Sequence, residues 1–142
     1  MRRREFITLI GGAVAWPLVA RAQQPTSQAR KMPRLGILMP GVSARSGTIL
    51  EPFYRGLHDL GYVEGQNIAI ERRYGESIVE RLPDLAAELV KLKVDIIVAW
   101  STPAAIAAKQ ATNTIPIVAA VMADPVGDGL VASLARPGGN IT

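Results

Sequence analysis

Few side chains in this sequence have the chemistry to act on another molecule, and they gather on three short stretches. Gly41, Val42 and Ser43 follow the apolar run Arg34 to Met39; Ser101 and Thr102 follow Asp95 to Trp100; Ala123 and Asp124 follow Ile115 to Val121. Hydroxyls, backbone N–H groups and one carboxylate suit hydrogen bonding to a small polar molecule. They do not assemble a reaction. A serine nucleophile needs a base within reach, and the one histidine, His58, belongs to a helical stretch and lies off its apolar stripe. Cysteine is absent, which excludes a disulfide scaffold, a thiolate metal site and a cysteine nucleophile. Asp124 alone is a poor site for a hard cation, which recruits several carboxylates. Pro40-Gly41-Val42-Ser43 has neither the dinucleotide fingerprint nor the P-loop lysine. The three stretches read as a binding surface without catalytic residues, metal or cofactor, and no enzyme activity is expected.

The elements that must position these residues alternate along the chain. Arg34 to Met39 reads as a buried strand. Ser46 to Leu60 carries Ile49, Leu50, Phe53, Leu57 and Leu60 at helical spacing, and Gly61 suits the residue after a helix end. Ile68 to Tyr74 alternates apolar and polar residues, as a strand near a sheet edge does. Arg72 and Arg73 fit a solvated strand end better than an anion site. Val79 to Leu92 is a second amphipathic helix, and Pro83 makes it continuous only from about Leu82.

Asp95 to Trp100 reads as the most buried strand, feeding a helix with Thr102 as N-cap and Pro103 at its first position. Such a helix start presents free N–H groups to a carboxylate or phosphate; the alternative is that Ser101 and Thr102 only cap it. Ile115 to Val121 is a fourth strand. A turn at Asp124-Pro125, a short helix from Gly127 to Leu134 with Leu130, Val131 and Leu134 inward, and a fifth strand starting at Asn140 complete the chain. This order predicts an α/β fold: a doubly wound parallel sheet in a three-layer αβα arrangement with right-handed crossovers. Ligands of such sheets bind beyond the carboxyl ends of the strands, where the three stretches fall.

Composition supports a globular domain, with 49% hydrophobic and 20% charged residues in 142. Residues 1–22 read as an export signal peptide. Arg3, Arg4 and Phe6 match the twin-arginine pattern, the apolar run Phe6 to Ala20 is too short for an ordinary membrane span, and Ala20-Arg21-Ala22 is a small-x-small cleavage site. The general secretory route or an uncleaved anchor is the alternative. Four of the 16 basic residues and one of the 12 acidic residues lie in this segment, so the remainder carries 12 against 11. That near-balance gives no case for nucleic-acid binding. Residues 23–33 read as a flexible leader and 34–142 as the folded lobe. The expected location is a bacterial periplasm, with cleavage after Ala22 and a mature chain that is not membrane-inserted.

Longer motifs add a resemblance. Phe53-x-x-Gly56-Leu57, Leu60-Gly61-Tyr62-Val63-Glu64-Gly65-x-Asn67-Ile68, Leu82-Pro83-x-Leu85-Ala86 and Ala111-Thr112-x-Thr114-Ile115-Pro116 resemble the substrate-binding proteins of a family of bacterial ABC importers. The run from Asp124-Pro125-Val126 through Leu134-Ala135-Arg136-Pro137-Gly138-Gly139-Asn140-Ile141-Thr142 is the most specific. The resemblance implies the N-terminal lobe of a type I periplasmic binding protein, truncated at the hinge and holding half a cleft. Some relatives bind tryptophan or tyrosine. It places ligand-facing loops at Gly41 to Ser43, Ser101-Thr102 and Ala123-Asp124; the position and polarity of these loops then suggest an amino-acid carboxylate on Ser101 and Thr102 and its ammonium on Asp124. The implied partners are a small-molecule ligand, an ABC permease with its ATPase, and the export machinery; the alternative is a periplasmic sensor or interaction module without a transport role.

Overall fold

The computed structural model describes residues 31–142. The expected export signal (Arg3, Arg4, Phe6), cleavage site (Ala20, Ala22) and most of the leader lie outside the described residues. Short aliphatic strands that are buried on both faces need helices on both sides, and the chain supplies them in turn. Strand β1 spans Arg34–Met39, helix α1 Ser43–Asp59 and strand β2 Ala69–Tyr74. A 3₁₀ turn over Val79–Arg81 leads into α2, Leu82–Lys91, followed by β3, Ile96–Trp100, α3, Thr102–Ala111, and β4, Ile117–Ala120. The sheet order is β2-β1-β3-β4, with every pairing parallel. Ile141 adds a parallel bridge to Ile117 on the far side of β4, so a fifth strand begins where the sequence places it. The doubly wound expectation holds.

Alternate residues of the strands divide the core. Leu35, Ile37, Met39 and Val98 face α1 through its buried Leu50. Leu38, Ile97, Ala99 and Ile117 face α2 and α3, meeting Leu85, Leu89, Ala104 and Ala108. The α2 side packs tightly because β1 carries Gly36 there: a Cβ at that position would sit 3.2 Å from both methyls of Leu89. Asn140 ties the segment after α3 to the sheet, its Nδ2 donating to Ile115 O at 2.8 Å and Thr112 O at 3.2 Å.

Several expectations need correction. Helix α1 starts at Ser43 rather than Ser46, and its inward row is Ser46, Leu50, Phe53, Tyr54 and Leu57. Ile49 is 50% exposed and Leu60 76% exposed. Ile49 stands one helical step round from that row. Leu60 is the C-cap, after which Gly61 at φ 84° turns the chain away. Tyr62 N donates to Leu57 O and Gly61 N to His58 O, a Schellman ending. Ser46 is buried at no polar cost because its hydroxyl donates to Val42 O at 2.7 Å.

The helix expected at Gly127 to Leu134 does not form; successive turns take its place. Gly127 and Gly129 each weaken a helix by about 1 kcal/mol relative to Ala, and Gly129 adopts φ 69°, outside helical space. Leu130 and Val131 still reach the core, but Leu134 is 76% exposed. Strand β4 is shorter than Ile115 to Val121, ending before Val121 turns left-handed at φ 57°.

At the sheet edge, the arginines of β2 stay partly exposed, and each is paired with a carboxylate instead of being free for an anion. Arg72 makes paired bonds to Glu64, at 2.8 and 2.7 Å, and its Nε donates to Tyr54 Oη at 2.8 Å. Arg73 pairs with Glu88 at 2.7 Å. The Arg72 hydrogen bonds hold the Glu64 carboxyl below the usual carboxylate range, against desolvation, which raises it.

Two outcomes follow from this packing. Leu89→Ala should lower stability by about 3 kcal/mol, measured by urea unfolding, because it empties the contact between α2 and Gly36. Because the folded-state pKa of Glu64 is depressed, its contribution is present above the unfolded pKa and is lost as pH falls through the folded value. The stability gap between wild type and Glu64→Gln should therefore be present at neutral pH and close in acid; a gap independent of pH would contradict the pairing.

Candidate functional site

Parallel register puts the carboxyl end of every strand on one edge of the sheet. The loops after β1, β3 and β4 therefore share a rim, and they carry the three stretches singled out from the sequence. Gly41 and Val42 are half-buried, and Val42 is the N-cap of α1 in extended conformation. Ser43 is exposed and is already the first residue of the helix. Val42 has no polar side chain, so α1 begins without a cap of its own and without an acidic residue in its first turn.

Ser101 is the most constrained residue of the rim. It, not Thr102, is the N-cap of α3, and neither side chain makes a capping hydrogen bond. The sequence-based assignment is thus one residue late. The reason lies in the sheet. Ser101 N still donates to Ala120 O at 3.0 Å as a continuation of the β3–β4 ladder, while its carbonyl accepts from Ala105 N at 3.0 Å. Serving both partners forces φ 116° and ψ 161°, a region that is essentially glycine's and costs about 1–3 kcal/mol for other residues. The Ser101 hydroxyl is buried and has no hydrogen-bond partner among the described residues. Pro103 in the first turn has no N–H, so the free backbone donors of that turn come down to Thr102 and Ala104. The amino end of α3 thus offers a dipole, two N–H groups and one unpaired hydroxyl to a carboxylate-sized group.

Asp124 is exposed and partly committed to its own turn. Its Oδ1 accepts from Gly127 N at 2.8 Å, and any side chain at Gly127 would collide with the same carboxylate. One oxygen remains for another partner. Ala123 beside it is exposed. A hollow of about 220 Å³ borders this loop on the α3 side, with apolar walls from Met122, Pro125, Val131 and Leu134.

A fourth loop on the rim escapes the sequence reading. Gly75-Glu76-Ser77, after β2, is tied to the first loop by backbone bonds from Gly75 N to Met39 O, Glu76 N to Gly41 O and Ser77 N to Pro40 O. Glu76 Oε1 accepts from Ser43 N at 3.1 Å. Glu76 and Ser77 both take left-handed conformations, at φ 53° and 66°. The only available sequence signal is the glycine before an acid and a serine, which many turns share. Behind the rim, Trp100 packs edge-on against Phe53, ring centroids 6.3 Å apart.

Among the described residues no group of three or more His, Asp or Glu is placed to hold a metal ion, and no helix is long and apolar enough to cross a membrane. The rim's chemistry is hydrogen bonding and charge, on an open ledge.

Comparison with known proteins gives this ledge a context. The chain is 42% identical over 90 residues to a tyrosine-binding protein of Clostridioides difficile (strain R20291), a match covering 63% of this chain and 26% of that protein. It superposes on the ligand-free, open structure of a substrate binding protein with adhesive properties from Clostridium difficile, with TM-score 0.72 and 32% identity, over 78% of this chain and 37% of that one. The structure of an ABC domain in complex with L-Trp, from Streptococcus pneumonia, matches with TM-score 0.71 and 30% identity, over 78% of this chain and 37% of that one. The chain thus spans about a quarter to two fifths of the length of these relatives. The family model for ABC transporter substrate binding proteins matches residues 43–142, and the chain belongs to that family.

Proposed function

We propose that this chain forms the first wall of the ligand cleft in the solute-binding component of an ABC importer, and that its ligand is a small amino acid-like zwitterion. Ser101 carries the reading. A strained backbone and a buried hydroxyl without a partner both oppose stability, and such costs persist at places where a ligand is held. A ligand carboxylate at the start of α3 would pair the hydroxyl and the N–H groups of Thr102 and Ala104 together. Gly41 to Ser43 and Ala123-Asp124 flank that point, and the remaining Asp124 oxygen meets the ligand's ammonium. The names of a tyrosine-binding relative and of a neighbour holding L-Trp support an amino acid.

Delivery to an ABC permease and its ATPase follows from the family's role, and with it a periplasmic location reached through the signal at Arg3, Arg4 and Phe6 and cleavage between Ala22 and Gln23. Export is tested by fusing residues 1–30 to a reporter that is active only outside the cytoplasm; a reporter that remains inside would overturn it. Replacing Arg3 and Arg4 by Lys should block a twin-arginine route and leave a general secretory one working.

The rim wraps a ligand from one side, whereas tight small-molecule sites bury about 70–90% of their ligand. Calorimetry of this chain with L-tyrosine or L-tryptophan should therefore give a dissociation constant no tighter than about 0.1 mM, or roughly −5.5 kcal/mol. Ser101→Gly should raise stability by about 1–2 kcal/mol, through relief of strain and removal of the unpaired hydroxyl, while weakening that binding about tenfold. A variant that is neither more stable nor weaker in binding would remove Ser101 from the account. Asp124→Asn keeps the acceptor for Gly127 N and removes the charge; unchanged affinity would exclude Asp124 as the ammonium partner.

A further inference from the structure

We propose that the outer edge of β2 is a strand-addition surface for a second copy of this chain, held shut by Arg72 and Arg73, whose guanidinium groups occupy the carbonyls a new strand would need. This edge lies at the opposite side of the sheet from β4, and its closure is independent of the cleft.

Strand β2 is outermost in the sheet and pairs only with β1. Ala69 N donates to Pro33 O at 2.9 Å and Gly75 N to Met39 O at 2.8 Å. Backbone groups of successive strand residues point to opposite sides, so residues 69, 71 and 73 serve β1, while Ile70, Arg72 and Tyr74 turn their N–H and carbonyl outward. Such a row is a template for another strand. Here the acceptors are filled. Ile68 O accepts from Gly65 N at 2.9 Å, Ile70 O from Arg72 Nη1 at 3.4 Å, and Arg72 O from Arg73 Nη1 at 2.9 Å. Three successive outward carbonyls thus receive donors from the chain itself.

The two arginines are anchored from opposite faces. Arg72 lies on the α1 side, where Tyr54 Oη and both Glu64 oxygens hold it and its Cζ stands 5.1 Å from the Tyr54 ring centroid. Arg73 lies on the α2 side, its Nε donating to Glu88 at 2.7 Å. These partners have already ordered each side chain, so capping a carbonyl costs little further rotamer freedom.

Without the arginines, the strand would suit pairing with itself. An antiparallel arrangement with its two-fold axis at position 72 exchanges N–H and carbonyl between the two copies of that residue. It sets Ile70 opposite Tyr74 and Glu71 opposite Arg73, both favourable cross-strand pairs, whereas Arg72 meets its own charge. The carbonyls that this pairing needs at positions 70 and 72 are the two that the guanidinium groups fill. The arginines therefore oppose a second copy twice, by occupying its acceptors and by repulsion.

Hydrogen exchange of individual amides tests this on the purified chain, as wild type, Arg73→Thr and Arg72→Thr/Arg73→Thr. Threonine favours strands and pairs well with itself across them. Raising the double variant from about 50 µM to about 1 mM should slow exchange at positions 70, 72 and 74 roughly threefold, as for a dimer with a dissociation constant of about 0.1 mM. In wild type the same amides should exchange at a rate independent of concentration. Arg73→Thr frees the Arg72 carbonyl but keeps the repulsion and the Tyr54 and Glu64 contacts, so its slowing should be smaller. Concentration-dependent slowing at these positions in wild type would show the edge to be open and overturn the proposal. So would its absence in the double variant, including self-association that protects amides only elsewhere. If the double variant fails to fold, Arg73→Thr decides alone, and exchange there indistinguishable from wild type overturns the closure.

Discussion

The rim depends on one constraint, the parallel register of four short strands, of which the central β1 and β3 are buried on both faces. Parallel pairing sends every connection back across the sheet, so each helix starts at the same edge at which a strand ends. Helix amino ends, with their unpaired N–H groups, therefore collect on one side of the molecule. No binding residue has to create that polarity. The residues of the loops only decide which of these ends stays open and which is filled.

The chain treats them differently. At α3 the backbone stays in the β3–β4 ladder for one residue beyond the strand and then turns sharply into the helix, which strains Ser101 and strands its hydroxyl. At α1 the equivalent turn is relaxed, and the cap arrives from the loop after β2. The α2 and α3 side is held by close apolar contact at Gly36 and Leu89, which gives the sheet a stiff backing for such strain. The opposite edge is kept from loosening by charge, where Arg72 links β2 to α1 through Tyr54 and to the preceding turn through Glu64.

How much of this the sequence discloses depends on the range of the interaction. Hydrophobic periodicity is local, so the element order, the edge position of β2, the late start of α2 at Leu82 and the fifth strand at Ile141 are all legible from it. The three rim loops are legible for the same reason: they are whatever follows a parallel strand. What fails is set by neighbours distant in sequence or by backbone geometry. Ile49 is apolar and on phase by spacing, yet the sheet meets the row beside it. Gly127 and Gly129 interrupt a helical pattern that side-chain hydrophobicity alone supports. The cap falls on Ser101 rather than Thr102 because Ala120, nineteen residues on, claims the Ser101 N–H. Glu76 reaches α1 across 33 positions, and no local pattern announces it.

The central claim is that the amino end of α3 is where this fold receives a ligand's carboxylate. Mapping the amide resonances of the chain during titration with L-tryptophan tests it most directly. The account predicts the largest shifts at Ser101, Thr102 and Ala104, with smaller ones in the flanking rim loops. Shifts centred instead on the hollow of about 300 Å³ lined by Tyr54, His58 and Arg72 at the β2 edge would contradict it.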